Sequence, residues 1–238
     1  MHFRSGVYVI AAFLLVAAAW PQAKRPPMRQ VNPPDSDPQY FPRGIFSQYP
    51  DLSDWIARWY ATELRALEEP SLFEQAKDNS VETYRLLLVP SFRHRLAVRL
   101  ELQPNGTGLL TAKMTTGADW NPGHVLRMER ISISTEQIEG FRTLLTNARF
   151  WSLPTEDRGI TGFDGTEWVM EGRRHGTHKV VDRWSGFIDE KYLQLCQYLI
   201  ELSPIKPEEP PRRKKSAESR YEQERDSSLR LPAQAGSE

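Results

Sequence analysis

The chain has a single cysteine, Cys196, among 238 residues. It therefore forms no internal disulfide, and its fold must rest on a hydrophobic core. Cys196 falls within an apolar helical pattern and reads as a small buried hydrophobe rather than a reactive thiol. Net charge is also lacking: 31 basic residues balance 31 acidic ones. No overall field then favours nucleic acid or an anionic membrane, and no nucleic-acid partner is expected. Nucleophile elbows of the Gly-x-Ser-x-Gly type are absent, and no glycine-rich phosphate loop precedes a helix. No cofactor is implied, and there is no internal repeat.

Long hydrophobic runs are scarce too. The one that stands out, at 7–19, has 13 apolar residues behind the single charge of Arg4. A spanning helix needs about 20, whereas an export signal needs roughly 7–15 followed by small residues. Segment 1–23 therefore reads as a signal peptide cleaved after Ala19 or Ala23, which places the protein in the periplasm or outside the cell. The alternative is an uncleaved N-terminal anchor, with Trp20 at the interface, and only then would the membrane be a partner. No cysteine follows the run, so a lipid-modified terminus is not expected.

The rest divides by composition. Segment 24–50 holds seven prolines and reads as an extended linker. A single domain is expected over 51–203, with an N-terminal helix at 51–69 and a core at 82–203. Segment 204–238 is charged and poor in large apolar residues, which reads as a disordered tail. Its basic run, Arg212 to Lys215, is offset: from Ser203 onward eight basic residues face seven acidic ones.

Within the domain, periodicity separates helix from strand. Ile56, Trp59, Tyr60, Leu64 and Leu67 recur at helical spacing, with Asp51 or Ser53 as cap and Pro70 as stop. Leu86 to Val89 is a continuous apolar run, the mark of a central strand. Leu96, Val98, Leu100 and Leu102 alternate with more polar residues, then Pro104-Asn105-Gly106 turns the chain into a return strand. A fourth strand spans 125–133. Ser134 and Gln137 form a capping box flanked by Ile133 and Ile138, the spacing of a hydrophobic staple. Tyr192, Leu195, Cys196 and Leu199 mark a last helix, capped by Ser185 or Asp189. The order predicts an α+β fold: an antiparallel sheet of about six strands, with two or three helices packed on one face.

Segments 167–172 and 178–184 predict a hairpin. A three-residue loop, 174–176, would pair Glu171 with Lys179, Met170 with Val180, Val169 with Val181 and Glu167 with Arg183. Opposite-charge pairs of this kind contribute about 0.2–1 kcal/mol each. A two-residue loop at His175-Gly176 would mix apolar and charged groups on both faces, so the longer loop is expected.

Several stretches are similar to a group of uncharacterised exported bacterial proteins. They are Tyr84-Arg85-Leu86-Leu87-Leu88 with Pro90-Ser91-Phe92, Asn105-Gly106-Thr107-Gly108, Phe150-Trp151-Ser152-Leu153-Pro154, the run from Asp164-Gly165-Thr166 to Gly172, and the run from His178 to Ser185. The resemblance spans 84–202, about half the chain. It implies a shared small domain and an extracytoplasmic bacterial setting, and it supplies no activity.

Candidate chemistry is thin. His175 and His178 straddle a turn, and Asp164, Asp182 and Glu156-Asp157 offer oxygens nearby, yet no spacing matches a strong metal motif. Asp164-Gly165-Thr166 lacks a twelve-residue calcium loop and reads as a turn. Ser185, His178 and Asp182 suggest a triad on paper only, since a triad is a matter of geometry. The expectation is a non-enzymatic binding or interaction module of the cell envelope, its partner an unidentified envelope protein or polymer. Binding would fall to Trp168, Trp184, His178, Asp182 and Asp164, with Trp151 and Trp120 in the same half. The alternative is a periplasmic hydrolase with a site near His178 and Asp182.

Overall fold

The computed structural model describes residues 38–77, 81–156 and 164–208. The expected signal peptide at 1–23, and the basic run from Arg212 to Lys215, lie outside the described residues. In chain order the elements are α1 (Pro50–Ala66), α2 (Leu72–Gln75), β1 (Glu82–Pro90), β2 (Leu96–Leu102), β3 (Gly108–Thr115), β4 (Val125–Ile133), α3 (Thr135–Asn147), a 3-10 turn (Phe150–Ser152), β5 (Thr166–Arg174), β6 (Thr177–Trp184) and α4 (Glu190–Leu202). The strands form one antiparallel sheet in the order β4-β3-β2-β1-β5-β6. The α+β expectation holds.

Side chains alternate across each strand, and both faces of the sheet are covered except at the edge strand β4. On the first face Tyr84, Leu86, Leu88, Val98, Leu100, Leu110, Met170 and Val181 meet Phe141 of α3 and Tyr192, Leu195 and Cys196 of α4. On the second, Leu87, Val89, Ala97, Val169 and Val180 meet Tyr60, Ala61 and Leu64 of α1 and Leu67 at its C-cap. Of the two or three helices expected on one face, α3 and α4 share it, while α1 packs on the other. The run Leu86 to Val89 is buried on both sides, as an interior strand requires.

The start of α3 follows the expected capping box. The Ser134 hydroxyl accepts from Gln137 N–H at 3.3 Å, and Gln137 Oε1 accepts from Ser134 N–H at 3.0 Å. Asp189, not Ser185, caps α4. By contrast, α1 begins one turn earlier than its expected caps, with Pro50 in its first turn and no side-chain cap at Tyr49. Ser53 is instead buried, its hydroxyl accepting from Phe46 N–H at 3.1 Å.

Both domain boundaries move outward. The proline-rich stretch expected as linker to Pro50 already contributes Tyr40, Phe41 and Phe46 to the core. The Phe41 and Phe46 rings pack edge to face on each other and on Tyr60. Prolines there set the path of the backbone, while the aromatics between them supply the apolar area. At the other end Ile205 is fully buried, so packing runs past 203 into the expected tail.

The hairpin register is a correction. β5 and β6 pair Glu171 with Val180, Met170 with Val181, Val169 with Asp182 and Trp168 with Arg183. Arg174 faces Thr177, which leaves the two-residue loop His175-Gly176. Both loop residues have positive φ, 48° and 74°, the conformation of a type I′ turn. The longer loop follows only if one face is dry and the other wet. With both faces covered, charged side chains need buried partners rather than a solvent face. In the observed turn His175 sits in the left-handed region, where a β-branched residue is strained by roughly 1–2 kcal/mol. Urea denaturation of His175→Val is therefore expected to show a loss of about that size. A three-residue loop, which puts residue 175 at negative φ, would leave stability unchanged.

Candidate functional site

Charged residues sit inside apolar strands, and the second face of the sheet gathers them. Arg85 of β1 lies directly opposite Glu171 of β5. Its Nε donates to Glu171 Oε2 at 3.0 Å, and a second guanidinium nitrogen bonds the same oxygen. The other Glu171 oxygen is 3.0 Å from His178 Nε2. Glu69, in the segment between α1 and α2, reaches across three strands. Its Oε2 takes Arg99 Nε at 2.9 Å and lies 3.6 Å from Arg85, while Oε1 is 3.0 Å from Lys113 Nζ. Both carboxylates are about 1 % exposed.

A buried carboxylate should hold its proton more tightly. Burial pulls Glu171 that way, yet Arg85 and His178 prevail and hold its carboxyl below the ordinary value. Nearby, Arg95 Nε donates to Glu63 Oε2 at 3.0 Å, tying α1 to the loop before β2. These groups bind one another.

Of the five residues expected to bind, the structure groups two. His178 faces the charge lattice and packs against Phe73 with ring centroids 5.5 Å apart. Asp182 lies four residues along the same face of β6, with Val180 between. It accepts from Tyr60 Oη at 2.9 Å. Trp168 points to the opposite face and packs against the main core. The strand carbonyls of Trp168 and Val181 both accept from Tyr192 Oη. His178 and Asp182 therefore lie on the opposite face of the sheet from Trp168, although all three are expected to bind together. Trp151 also packs against the main core, while Trp120 is exposed in the loop before β4.

Trp184 meets Gly165, the chain neighbour of Asp164, at one corner. Ser91, at the end of β1, exchanges hydrogen bonds with Gly165: Gly165 N–H donates to Ser91 Oγ at 3.0 Å, and Ser91 N–H donates to Gly165 O at 2.9 Å. Gly165 has φ 154°, and a Cβ there would lie 2.4 Å from Trp184 Nε1. The Trp184 indole also lies flat on Gly186, where a Cβ would come within 1.8 Å of the ring. Its centroid is 5.9 Å from that of Phe187. The Ser185 hydroxyl closes the hairpin end, accepting from Thr166 N–H at 3.1 Å. The corner ends in exposed rings, with Phe187 at 54 % and Phe92, on the β1–β2 turn, at 69 %.

Phe92 and Phe187 were not among the expected binding residues. The available signal is an aromatic within a turn, Ser91-Phe92 and Gly186-Phe187, where no strand or helix periodicity requires one. Glu167 and Glu171 were expected as surface ion pairs with Arg183 and Lys179. Glu171 is buried among other cations, and Arg183 turns to the first face, over the Tyr192 ring.

Glu167 has lost its expected cation. Burial pushes its carboxyl up to about 8, with the Asp182 charge adding to the effect. Burial likewise pushes Asp182 up to about 7, against the Tyr60 hydrogen bond and Arg183, which favour ionisation. Among the described residues no group of three or more His, Cys, Asp or Glu is placed to hold a metal ion, and no helix is long and apolar enough to cross a membrane. Compared with protein-family models and with curated proteins, the chain matches none.

Two outcomes follow for stability. Glu69→Ala leaves Arg99 and Lys113 facing a void, and removing one partner of a buried pair typically costs about 3–5 kcal/mol. A loss below about 1 kcal/mol in urea denaturation would mean that these cations reach water. The second outcome concerns pH. Glu167 and Asp182 have raised carboxyls, so between their ordinary values and about 8 the folded state binds more protons than the unfolded chain. Stability should then fall as pH rises through that window. Thermal melts from pH 5 to pH 9 should show this slope in the natural chain and a flatter one in Glu167→Gln/Asp182→Asn. Equal slopes would place the effect elsewhere.

Proposed function

We propose that this protein is an exported, non-enzymatic binding module of the bacterial cell envelope, working in the periplasm or outside the cell. Its recognition surface is the aromatic corner of Trp184, Phe187 and Phe92, with Asp164 beside it. The observation that carries this reading is the exposure of Phe187 and Phe92 at a corner held by backbone hydrogen bonds between Ser91 and Gly165. Aromatic anchors on a rigid support supply much of the energy in protein and polymer recognition. The polar side chains best suited to catalysis are engaged elsewhere: His178 with Glu171, and Ser185 with Thr166. The apolar run at 7–19 and the resemblance to exported bacterial proteins support the location.

One observation favours the alternative, a hydrolase with a site near His178 and Asp182. Glu167 and Asp182 titrate near neutrality, where a general acid or base works best. In that reading His178 stays with Glu171 and the two carboxylates carry the chemistry.

The test uses the full chain as bait in an envelope extract, beside a Phe92→Ala/Phe187→Ala variant. Both substitutions are at exposed positions, so the fold should survive, which circular dichroism checks. Wild-type chain should enrich a protein or polymer at least tenfold over the variant. Equal enrichment, or none, contradicts the aromatic corner as the recognition surface. Turnover of an envelope ester or glycoside that Glu167→Gln abolishes would favour the hydrolase instead.

A further inference from the structure

The two edges of the sheet differ. At β6 the chain between residues 153 and 155 lies along the strand: Asp182 N–H donates to Thr155 O at 2.7 Å, and Arg183 donates to Pro154 O and Thr155 O at 3.1 and 3.0 Å. β4, at the other end, packs chiefly on β3. It is nine residues long, and Leu126 and Met128 are 49 % and 45 % exposed. Natural edges are usually blunted by lysine, proline, a short strand or a bulge. Val125 to Ile133 contains neither lysine nor proline, and its single irregularity lies at one end, beside the Met114/Thr115 step of β3. Among the described residues no strand lies beyond β4, and a row of backbone donors and acceptors of this length invites a further strand.

The side chains of β4 choose which strand. An edge-to-edge pair of identical strands about a two-fold axis is antiparallel, and residues facing each other must belong to the same sheet face. With Met128 opposite its own copy, Arg127 faces Glu129 of the second chain, and Glu129 faces Arg127. Val125 then faces Ile131. Shifting the axis to Arg127 or to Glu129 sets two like charges directly against each other, which is unfavourable. In the single chain the Arg127 guanidinium turns along its own strand to Glu129, at 2.6 Å, with both side chains about half exposed. The strand therefore carries both halves of a self-complementary pair.

We propose that the protein forms a two-fold dimer through antiparallel pairing of β4 with β4 of a second copy, centred on Met128. The two sheets become one continuous sheet, and each dimer contains two Arg127–Glu129 cross-strand pairs. This dimer leaves the aromatic corner free, since that corner lies at the β1–β5–β6 end of the sheet. It does not depend on the proposed binding function.

Sedimentation velocity on the full chain, over a concentration series, tests the proposal. The natural chain should sediment as a dimer. Arg127→Glu alone and Glu129→Arg alone each place like charges opposite each other twice per dimer. Each should weaken the dimer by roughly tenfold or more in Kd, about 1.4 kcal/mol. The double variant Arg127→Glu/Glu129→Arg restores opposite charges and should recover the dimer. Both sites are exposed, so all three variants should keep the wild-type melting temperature under conditions where each is monomeric. A monomer at every concentration, including one whose β4 edge takes an unrelated strand, overturns the proposal. So does a dimer that the single variants leave intact, or one that the double variant fails to restore.

Discussion

The structure depends most on how two carboxylates are neutralised inside it. Glu69 and Glu171 lie on a sheet face that α1 closes off from water. A charge moved from water into such a place is tolerated only with close counter-charges and hydrogen bonds. Arg85, Arg99, Lys113 and His178 supply them from four different strands. The consequence is geometric. A slip of β5 against β1 would carry Glu171 away from Arg85, and a loosening of the α1–α2 segment would strip Glu69 from Arg99 and Lys113. Apolar packing drives collapse, and the ion pairs restrict which collapsed arrangement is acceptable.

That restriction shapes the functional reading. Histidine, serine and carboxylates share one hairpin, and their partners lie within the fold. His178 belongs to the lattice, and Ser185 closes the hairpin end. What the scaffold presents to solvent is instead a corner of turns, where Gly165 and Gly186 let the Trp184 ring lie against the backbone. Rigid turns at strand ends are favoured places for recognition because their side chains are held without being used up in the core. The aromatic corner proposed as the binding surface has this character.

Much of the fold was legible in the residues. The capping box at Ser134 and Gln137, the stripe of the last helix and the consecutive apolar run of β1 each involve neighbours in sequence, and each appears as expected. What failed depends on distant parts of the chain. The hairpin loop differs from the expected one because that expectation requires one wet face, and nothing within 167–184 reveals that α1 covers that face. Tyr40, Phe41 and Phe46 were hidden by the prolines around them, since composition averages over a segment while packing acts on single rings. The strongest overlooked clue was Arg85, a charge set between Tyr84 and Leu86 in a strand otherwise fit only for the interior. Of the corner proposed for binding, Trp184 and Asp164 are among the residues expected from the sequence, while the exposed Phe187 and Phe92 carry no periodic signal.

The central claim is that the charge lattice makes α1 and the sheet one cooperative unit. Native-state hydrogen exchange measures this directly, amide by amide. If the claim holds, the amides of Tyr60 to Leu67 in α1 and those of Leu86 to Val89 in β1 open with the same free energy and the same denaturant dependence. If α1 opens at several kcal/mol less than β1, with a shallow denaturant dependence, the helix is an appendage and the lattice does not join it to the sheet.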